Sequence, residues 1–569
     1  MIVFDTEDNS SELLAAGKSG FDKTVTQIAA ITEAGDSYWS GGDVRDFLAW
    51  LDEIGESDVW AFNTPYDIGN LCHRPSGKLK FHNFDLVLVK GRFIRGGYNG
   101  FNFFDVHNLS GNGSSIGTLG FAVGLPKFGF PYKPNELKSF PLLEQKKYQK
   151  FAKMSDAERF RNKEYVLRDC QIPMEWLKFI RARCDEFGID KIPSTLGGLC
   201  VKAFAALGYA NWFEASDNSH AACYGGRVEL FSCGGSGHIM YVDVNSLYPH
   251  AMTMDFPECY EDLEKSLDGY GVAKCQVSVP KDLQLAPLPY HDDESRMIFP
   301  VGTFSGIWTL AELRAATKFG VKIKKVFWSY GSKTAQRYYA DYIKEMYRRR
   351  LASKSPAEKL FWKLLMNNLY GRLAIGGEVS RSMRLTDKNN REGVPYGDKI
   401  LCDYKMPLPE FTNYLHAAHV LAYARITLLD YMARIPAENL IYCDTDSIIF
   451  FWKPDKPLPF PITNDLGALK LESVGSRCDV YLPKTYHFKG EKEEWKAKGV
   501  PRRHAREFII NGEAEFDLPF KMREAIRFYD KDNSRKLSVW RRVNKMLKAE
   551  YDRKRKSGKF YLPKVLNLS

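Results

Sequence analysis

No C-x-x-C pair occurs in this 569-residue sequence, although it holds eleven cysteines. Neither a zinc ribbon nor an iron–sulfur site is therefore readable, and scattered cysteines fit reduced thiols in a cytosolic setting. Long apolar stretches are missing too, and the opening "MIVFDTEDNS" lacks the basic region of a signal peptide. Secretion and membrane insertion are not expected, which leaves the cytoplasm as the expected location. Internal repeats and low-complexity tracts are also absent, so nothing points to a repeat architecture.

What is present is ordinary for a globular protein: 44% apolar and 27% charged residues. The length exceeds a single core of about 250–300 residues, so two or more domains are expected. Lys+Arg outnumber Asp+Glu by 81 to 70, a net charge of +11. The excess is uneven, because residues 535–564 hold twelve Lys/Arg against Glu550 and Asp552. With Trp540, Tyr551, Phe560 and Tyr561 interleaved, this basic segment reads either as a polyanion-binding module or as a solvated tail.

Strands are predicted at "MIVF", "SDVWAFN" and "NFFDVHNL", and a helix with a Ser N-cap from Ser155 through "RARC". Gly and Pro in "IDKIPSTLGG" mark a domain boundary near 190. Further strands are expected at "HIMYVDVNSLYP", "GYGVAKCQVSVP" and "VKIKKVFWSYG". Helical character runs from about Thr334 to Leu373, with a break at "ASKSP". The polar, turn-rich stretch 384–410 should be a loop or small hairpin, with Lys388, Arg391 and Lys399 available to phosphates.

Acids sit where strands end. In "NLIYCDTDSIIFFW", Asp444 and Asp446 occupy the turn of a predicted hairpin, where two like charges repel unless a cation or solvent takes up the charge. Asp243 in "YVDVNSLYP" leaves a buried strand at its rim. Three such acids suit a pair of Mg²⁺ ions for in-line attack on phosphorus, and hard cations of this kind favour oxygen ligands. In "SPAEKLFWKLLMNNLYG", Lys359, Lys363 and Asn367 recur every four residues, with Tyr370 near the same face, which suits a triphosphate better than a merely solvated surface. A second set lies upstream: Asp5 and Glu7 on one side of an extended segment, Asp67 in "FNTPYD", and Asp169 one helical turn after Tyr165. With Asn63 and two tyrosines, these acids fit a second two-metal site, a nuclease.

These motifs, in this order, resemble the family B DNA polymerases over nearly the whole chain, and most of all their protein-primed members from linear-genome phages and related elements. D-V-N-S-L-Y-P at 243–249, K-L-L-M-N-N-L-Y-G at 363–371 and Y-C-D-T-D-S at 442–447 are similar to the three polymerase motifs, and K-T-Y at 484–486 to the primer-contacting one. D-T-E at 5–7, N-T-P-Y-D at 63–67 and Y-V-L-R-D at 165–169 resemble the exonuclease motifs, with T-L at 118–119 between them.

The resemblance implies an α/β multidomain chain: an RNase H-like 3′–5′ exonuclease domain (1–190) followed by a right-hand polymerase. Its palm would span 191–260 and 413–490 and its fingers 331–372. Insertions resembling the two terminal-protein regions would fill 261–330 and 373–412, and the thumb and basic C-terminal region 491–569. Asp243 and Asp446 would be the principal metal ligands, with Asp444 beside them. Lys363, with Lys359 and Asn367 on its face, would hold the dNTP. Tyr248 would exclude a ribonucleotide, Tyr370 would line the nascent base pair, and Lys484 and Tyr486 would hold the primer end.

Asp5, Glu7, Asp67 and Asp169 would bind the proofreading metals, and Tyr165 would orient the attacking water. Asn63, Tyr66, Thr118 and Leu119 would contact the frayed strand. The implied cofactor is Mg²⁺, two per site, with Mn²⁺ a substitute. The implied partners are template–primer DNA, dNTPs and a terminal protein offering a Ser, Thr or Tyr hydroxyl, the chain acting as a monomer or as a heterodimer with that protein in the host cytoplasm.

Three departures stand out. Asn368 replaces the usual Ser, and the Y-x-G-G linker motif appears as C-Y-G-G-R, with Cys223 in the tyrosine place or Tyr224 displaced by one before Gly225 and Gly226. The extra lysine that protein-primed enzymes carry before the third exonuclease motif is not singled out by the sequence. Two rivals follow: a primer-independent polymerase, a subgroup that tends to be longer, and an inactive nucleic-acid-binding scaffold, which intact acids at all seven positions argue against.

Overall fold

The computed structural model describes the chain except residues 10–11, 14–15, 17–22, 56–57, 75–77, 80–84, 90–91, 112, 376–381, 387–393, 397–398, 405–407, 492, 520–539, 548–553, 557–560 and 568–569. Its first domain is built on strand Ile2–Asp8, which pairs antiparallel with Val25–Thr32 and parallel with Asp58–Ala61. Ile2, Val3 and Phe4 are all fully buried because both faces of this strand are covered. Alternation divides them: Ile2 and Phe4 join the core that holds Phe47 and Leu51 of helix Val44–Ile54. Val3 joins the core of helix Lys163–Glu186. Asp5 and Glu7, in step with Val3, therefore belong to the side of that helix.

The single helix expected from Ser155 is two. Ser155 caps only Asp156–Phe160, and Asn162, whose side chain accepts from the Glu164 N–H, starts a new helix at Lys163. A side chain that bonds its own backbone competes with helix continuation, and here it resets it.

A second, seven-stranded sheet carries the later acids. Strand Gly234–Val244 lies between Ser447–Phe451 and the long strand Leu469–Leu482, antiparallel to both. Leu440–Asp444 and Ser447–Phe451 form a hairpin. One face packs on helices Pro356–Leu373 and Tyr414–Met432 through Val242, Ile448 and Leu428. The other buries Ile239, Ile441 and Ile449 with Tyr486. Ser355 caps Pro356–Leu373, and a break at 353–355 separates it from helix Ala340–Ala352.

Two segments pair far from their place in the chain. Of the stretch 384–410, the described strands Ser382–Thr386, Val394–Tyr396 and Lys399–Tyr404 extend the first domain's sheet to ten strands, Met383 opposite Leu88. It is thus not a free surface loop; Lys388 and Arg391 lie outside the described residues. The span 491–569 is not one unit either. Glu513–Pro519 pairs with Trp540–Met546, whereas Val565–Asn567 runs parallel to Val301–Thr309 as the edge of the five-stranded sheet of the 261–330 region. Residues 565–567 are therefore not a free tail; Tyr551 and Phe560 lie outside the described residues. Three-residue strands leave too little pattern to read in sequence.

Candidate active sites

Asp5, Glu7 and Asp169 bring one carboxylate oxygen each within 4.8 Å of one another, a spacing that fits a divalent cation. Burial holds the Asp5 carboxyl well above the usual range, helped by the charges of Asp67, Asp169 and Glu7. Burial and Asp169 push Glu7 up to about 8. Asp67 stands in the first turn of helix Thr64–Cys72, and its Oδ1 accepts the Thr6 backbone N–H at 3.0 Å and the Thr6 hydroxyl at 2.7 Å.

A lysine completes this site. The Lys127 ammonium pairs with Asp169 and lies 3.1 Å from the Tyr165 hydroxyl. Burial works against that ammonium, but Asp169, Tyr165 and Glu7 outweigh it and keep its pKa above the ordinary lysine value. Tyr165 is thereby fixed by the same cation that neutralises Asp169.

The second site is made by strand register. Asp243 lies opposite Ser447, so it is beside the Asp444–Asp446 turn. Three backbone bonds lock that turn: Asp446 N–H to Asp444 O, Val244 N–H to Asp446 O and Thr445 N–H to Arg227 O, each 2.7 Å. Thr445 takes the left-handed conformation, φ 66°, which the tight turn imposes. Burial and the Asp446 charge push Asp243 up to about 7, opposed by Lys470 and Lys363. Burial also raises Asp446, again opposed by Lys363.

Asp444 is differently engaged, accepting from Lys484 Nζ at 2.6 Å and from the Tyr442 hydroxyl at 3.1 Å. These groups open on a cleft of about 270 Å³ that also meets Tyr486 and Lys496. On helix Pro356–Leu373, Lys359 and Lys363 are exposed and Asn367 and Tyr370 half-buried, a polar stripe beside buried Phe361, Leu365 and Leu369. The Tyr370 ring stacks on Tyr248 at 4.4 Å.

A family model for DNA polymerase type B, organellar and viral, matches residues 124–393. The DNA-directed DNA polymerase of Enterobacteria phage PRD1 is 25% identical over 481 residues, covering 79% of this chain and 76% of the phage protein. A probable DNA polymerase of Ascobolus immersus is 28% identical over 316 residues, 48% of this chain. This chain spans only 25% of that fungal protein's length. Among solved structures, Phi29 DNA polymerase complexed with primer-template DNA matches with a TM-score of 0.67 and 17% identity, over 91% of this chain and 96% of that one. The chain is thus similar to type B DNA polymerases, and its fold is that of the Phi29 DNA polymerase structure. The α/β multidomain architecture is the one the motifs imply.

Some family positions fall elsewhere than the motifs imply. Leu119 is 1% exposed and packs in the main core, so its side chain faces inward rather than toward a frayed strand; Thr118, next to it on helix Ile116–Val123, is exposed. Asn63 takes a left-handed conformation and donates its N–H to Asp105 at 2.9 Å, while Tyr66 is half-buried beside Asp67. The Tyr224 ring is also buried, in the core of the 261–330 region, stacked on His291. It is no DNA-facing group. What the C-Y-G-G-R segment offers instead is backbone: Arg425, paired with buried Glu312, donates to the Tyr224 and Gly225 carbonyls. Gly226 lies where a Cβ would come within 3.0 Å of the Tyr248 hydroxyl.

Lys127, paired with Asp169 and Tyr165 of the Y-V-L-R-D motif, is a site residue that only the fold reveals. The one hint in sequence is its following aromatic pair in "KFGF". Glu472, whose charge raises Asp243, and Lys496 were likewise unmarked. Among the described residues no helix is long and apolar enough to cross a membrane.

Proposed function

We propose that this chain is a DNA-directed DNA polymerase of the protein-primed viral or organellar type, with a separate 3′–5′ proofreading nuclease. The observation that carries the reading is the register that seats Asp243 against the Asp444–Asp446 turn with Lys363 facing both raised carboxyls. Hard carboxylate oxygens suit Mg²⁺, with Mn²⁺ a substitute, held by Asp243 and Asp446 at one site and by Asp5, Glu7, Asp67 and Asp169 at the other. Bound there, the ions would supply charge neutralisation at the reacting phosphate and a more acidic nucleophile.

The protein's own groups do the rest. Lys363 and Lys359 bind the dNTP phosphates, and the stacked Tyr248 and Tyr370 wall the sugar and base. Lys484 neutralises Asp444 and, with Tyr486, steadies the primer end. In the nuclease, Lys127 holds Tyr165 where it orients the attacking water. Catalysis at both sites is positioning and charge neutralisation. A terminal protein whose Ser, Thr or Tyr hydroxyl primes the first addition is the partner this reading requires.

Primer extension with Mg²⁺ and all four dNTPs, followed by degradation of a 3′-labelled strand without dNTPs, tests both activities. Labelled-dNTP incorporation with and without candidate primer proteins then tests priming. Incorporation on bare template without any primer would instead favour primer-independent synthesis.

A further inference from the structure

Behind the nuclease acids runs a line of buried polar contacts that begins at Lys23. The Lys23 side chain is 2% exposed and pairs at 2.8 Å with Asp8, 1% exposed. The same ammonium donates to Asn70 Oδ1 at 2.6 Å and lies 5.3 Å from the Tyr66 ring centroid. Asn70 is fully buried, and its Nδ2 donates to Thr6 Oγ1 at 2.9 Å. Thr6 Oγ1 in turn donates to Asp67 Oδ1 at 2.7 Å.

Chemistry fixes the direction of every bond in this line. An ammonium only donates, so the amide oxygen of Asn70 must face Lys23 and its NH₂ must face Thr6. The Thr6 hydroxyl, having accepted from Asn70, has its proton left for Asp67. Each donor therefore points toward the carboxylate, and bonds polarised one way strengthen one another. Asp8 offsets the ammonium, which could not be buried alone without a large desolvation cost. None of Lys23, Asp8 or Asn70 falls among the motif residues that define the site.

We propose that Lys23, held by Asp8 and acting through Asn70 and Thr6, is a positioning residue of the nuclease: it fixes the Asp67 carboxylate and the Tyr66 ring for a divalent cation and a frayed 3′ end. This rests on the nuclease reading above. Lys23→Met frees the Asn70 amide to turn, and the Thr6 hydroxyl then has no enforced direction.

The test uses full-length protein and two readouts. Mn²⁺ binding is titrated calorimetrically in an Asp243→Asn, Asp446→Asn background, so that the nuclease acids are what the metal meets, and degradation of a 3′-labelled single strand is timed in the otherwise unchanged protein. Lys23→Met is expected to weaken Mn²⁺ binding and slow degradation by about 10–100-fold, the usual effect of losing a group that orients a ligand, with primer extension within about twofold. Asn70→Ala should cost as much, and the pair no more than either, because both interrupt one line.

The charge-balanced Asp8→Asn, Lys23→Met variant should remain impaired. Recovery in that variant would show that a stray buried charge caused the loss and would overturn the proposal. Unchanged Mn²⁺ affinity, multiplying losses, or a parallel fall in extension would overturn it equally. Wild-type protein that extends primers but degrades no 3′ end would refute the nuclease reading itself, a result distinct from wild-type degradation that Lys23→Met leaves untouched.

Discussion

The acids of the proposed nuclease site come from a strand and two helices, with Asp67 and Asp169 buried, Asp5 and Glu7 half-buried and Lys127 inside the cluster as countercharge. The polymerase acids come from neighbouring strands of one sheet and face an open cleft, where Lys363 and Lys484 approach from other elements. A more buried cluster gains from a built-in countercharge, because water screens its like charges poorly. An open one leaves its lysines exposed, where on the proposed reading they would also meet the incoming triphosphate and the primer end. On the proposed reading, the first site is arranged for a short single-stranded end and the second for a bulky duplex and nucleotide.

If the two sites are independent, the largest effects should be separable. Asp446→Ala is expected to lower primer extension by about a thousandfold or more and leave degradation of a 3′-labelled strand near normal; Asp5→Ala with Glu7→Ala should do the reverse. Loss of extension in the Asp5, Glu7 variant, measured on the same preparation, would merge the two sites into one.

The sites also differ in what braces them. The Asp444–Asp446 turn hangs on the Arg227 carbonyl, and the Arg227 side chain shares fully buried Glu229 with Arg555 from the C-terminal segment. Removing one partner of a buried charge group costs about 3–5 kcal/mol. Arg555→Met should therefore lower the melting temperature and slow extension more than degradation. Equal losses in both assays would mean that the C-terminal segment braces the whole chain.

Lys127 gives a smaller and sharper test. Lys127→Ala should reduce degradation by about 10–100-fold and spare extension, whereas Lys363→Ala should raise the KM for dNTP and spare degradation. A gel shift on primer–template DNA that moves as much as the dNTP KM would count against Lys363 as a phosphate-binding residue.

How much of this was legible follows from the range of each interaction. Asp243, Asp444 and Asp446 could be read because each ends an apolar strand within a few residues, and Lys359, Lys363, Asn367 and Tyr370 because one helix sets their spacing. Lys127 could not: its partner Asp169 is 42 residues away and no period links them. Arg227 and Arg555 meet over a still longer span, through Glu229. Tyr224 misled because its motif letters say nothing of which way its ring packs. The one-strand and three-strand additions at sheet edges, 565–567 and 382–404, were hidden for the same reason, since pairing partners are chosen by tertiary structure.

The smallest expected effect is a pH dependence of stability in the metal-free protein. Glu7 rises to about 8 from 4.5, and Asp243 to about 7 from 3.8, so across that interval the folded chain binds more protons than the unfolded one. Stability then falls as pH rises, because ionising these carboxyls in the folded state means charging buried, mutually repelling groups. The contribution is complete below about pH 4 and is lost on passing pH 7 for Asp243 and pH 8 for Glu7. Melting temperatures taken in EDTA should accordingly decline between pH 5 and 8 relative to the same protein with Ca²⁺, whose binding favours the ionised form at both sites. Asp243→Asn should flatten only the part of the decline centred near pH 7, and Glu7→Gln the part near pH 8. A slope that neither Ca²⁺ nor these variants alter would place the titrating groups elsewhere and would remove the electrostatic half of the contrast between the two sites.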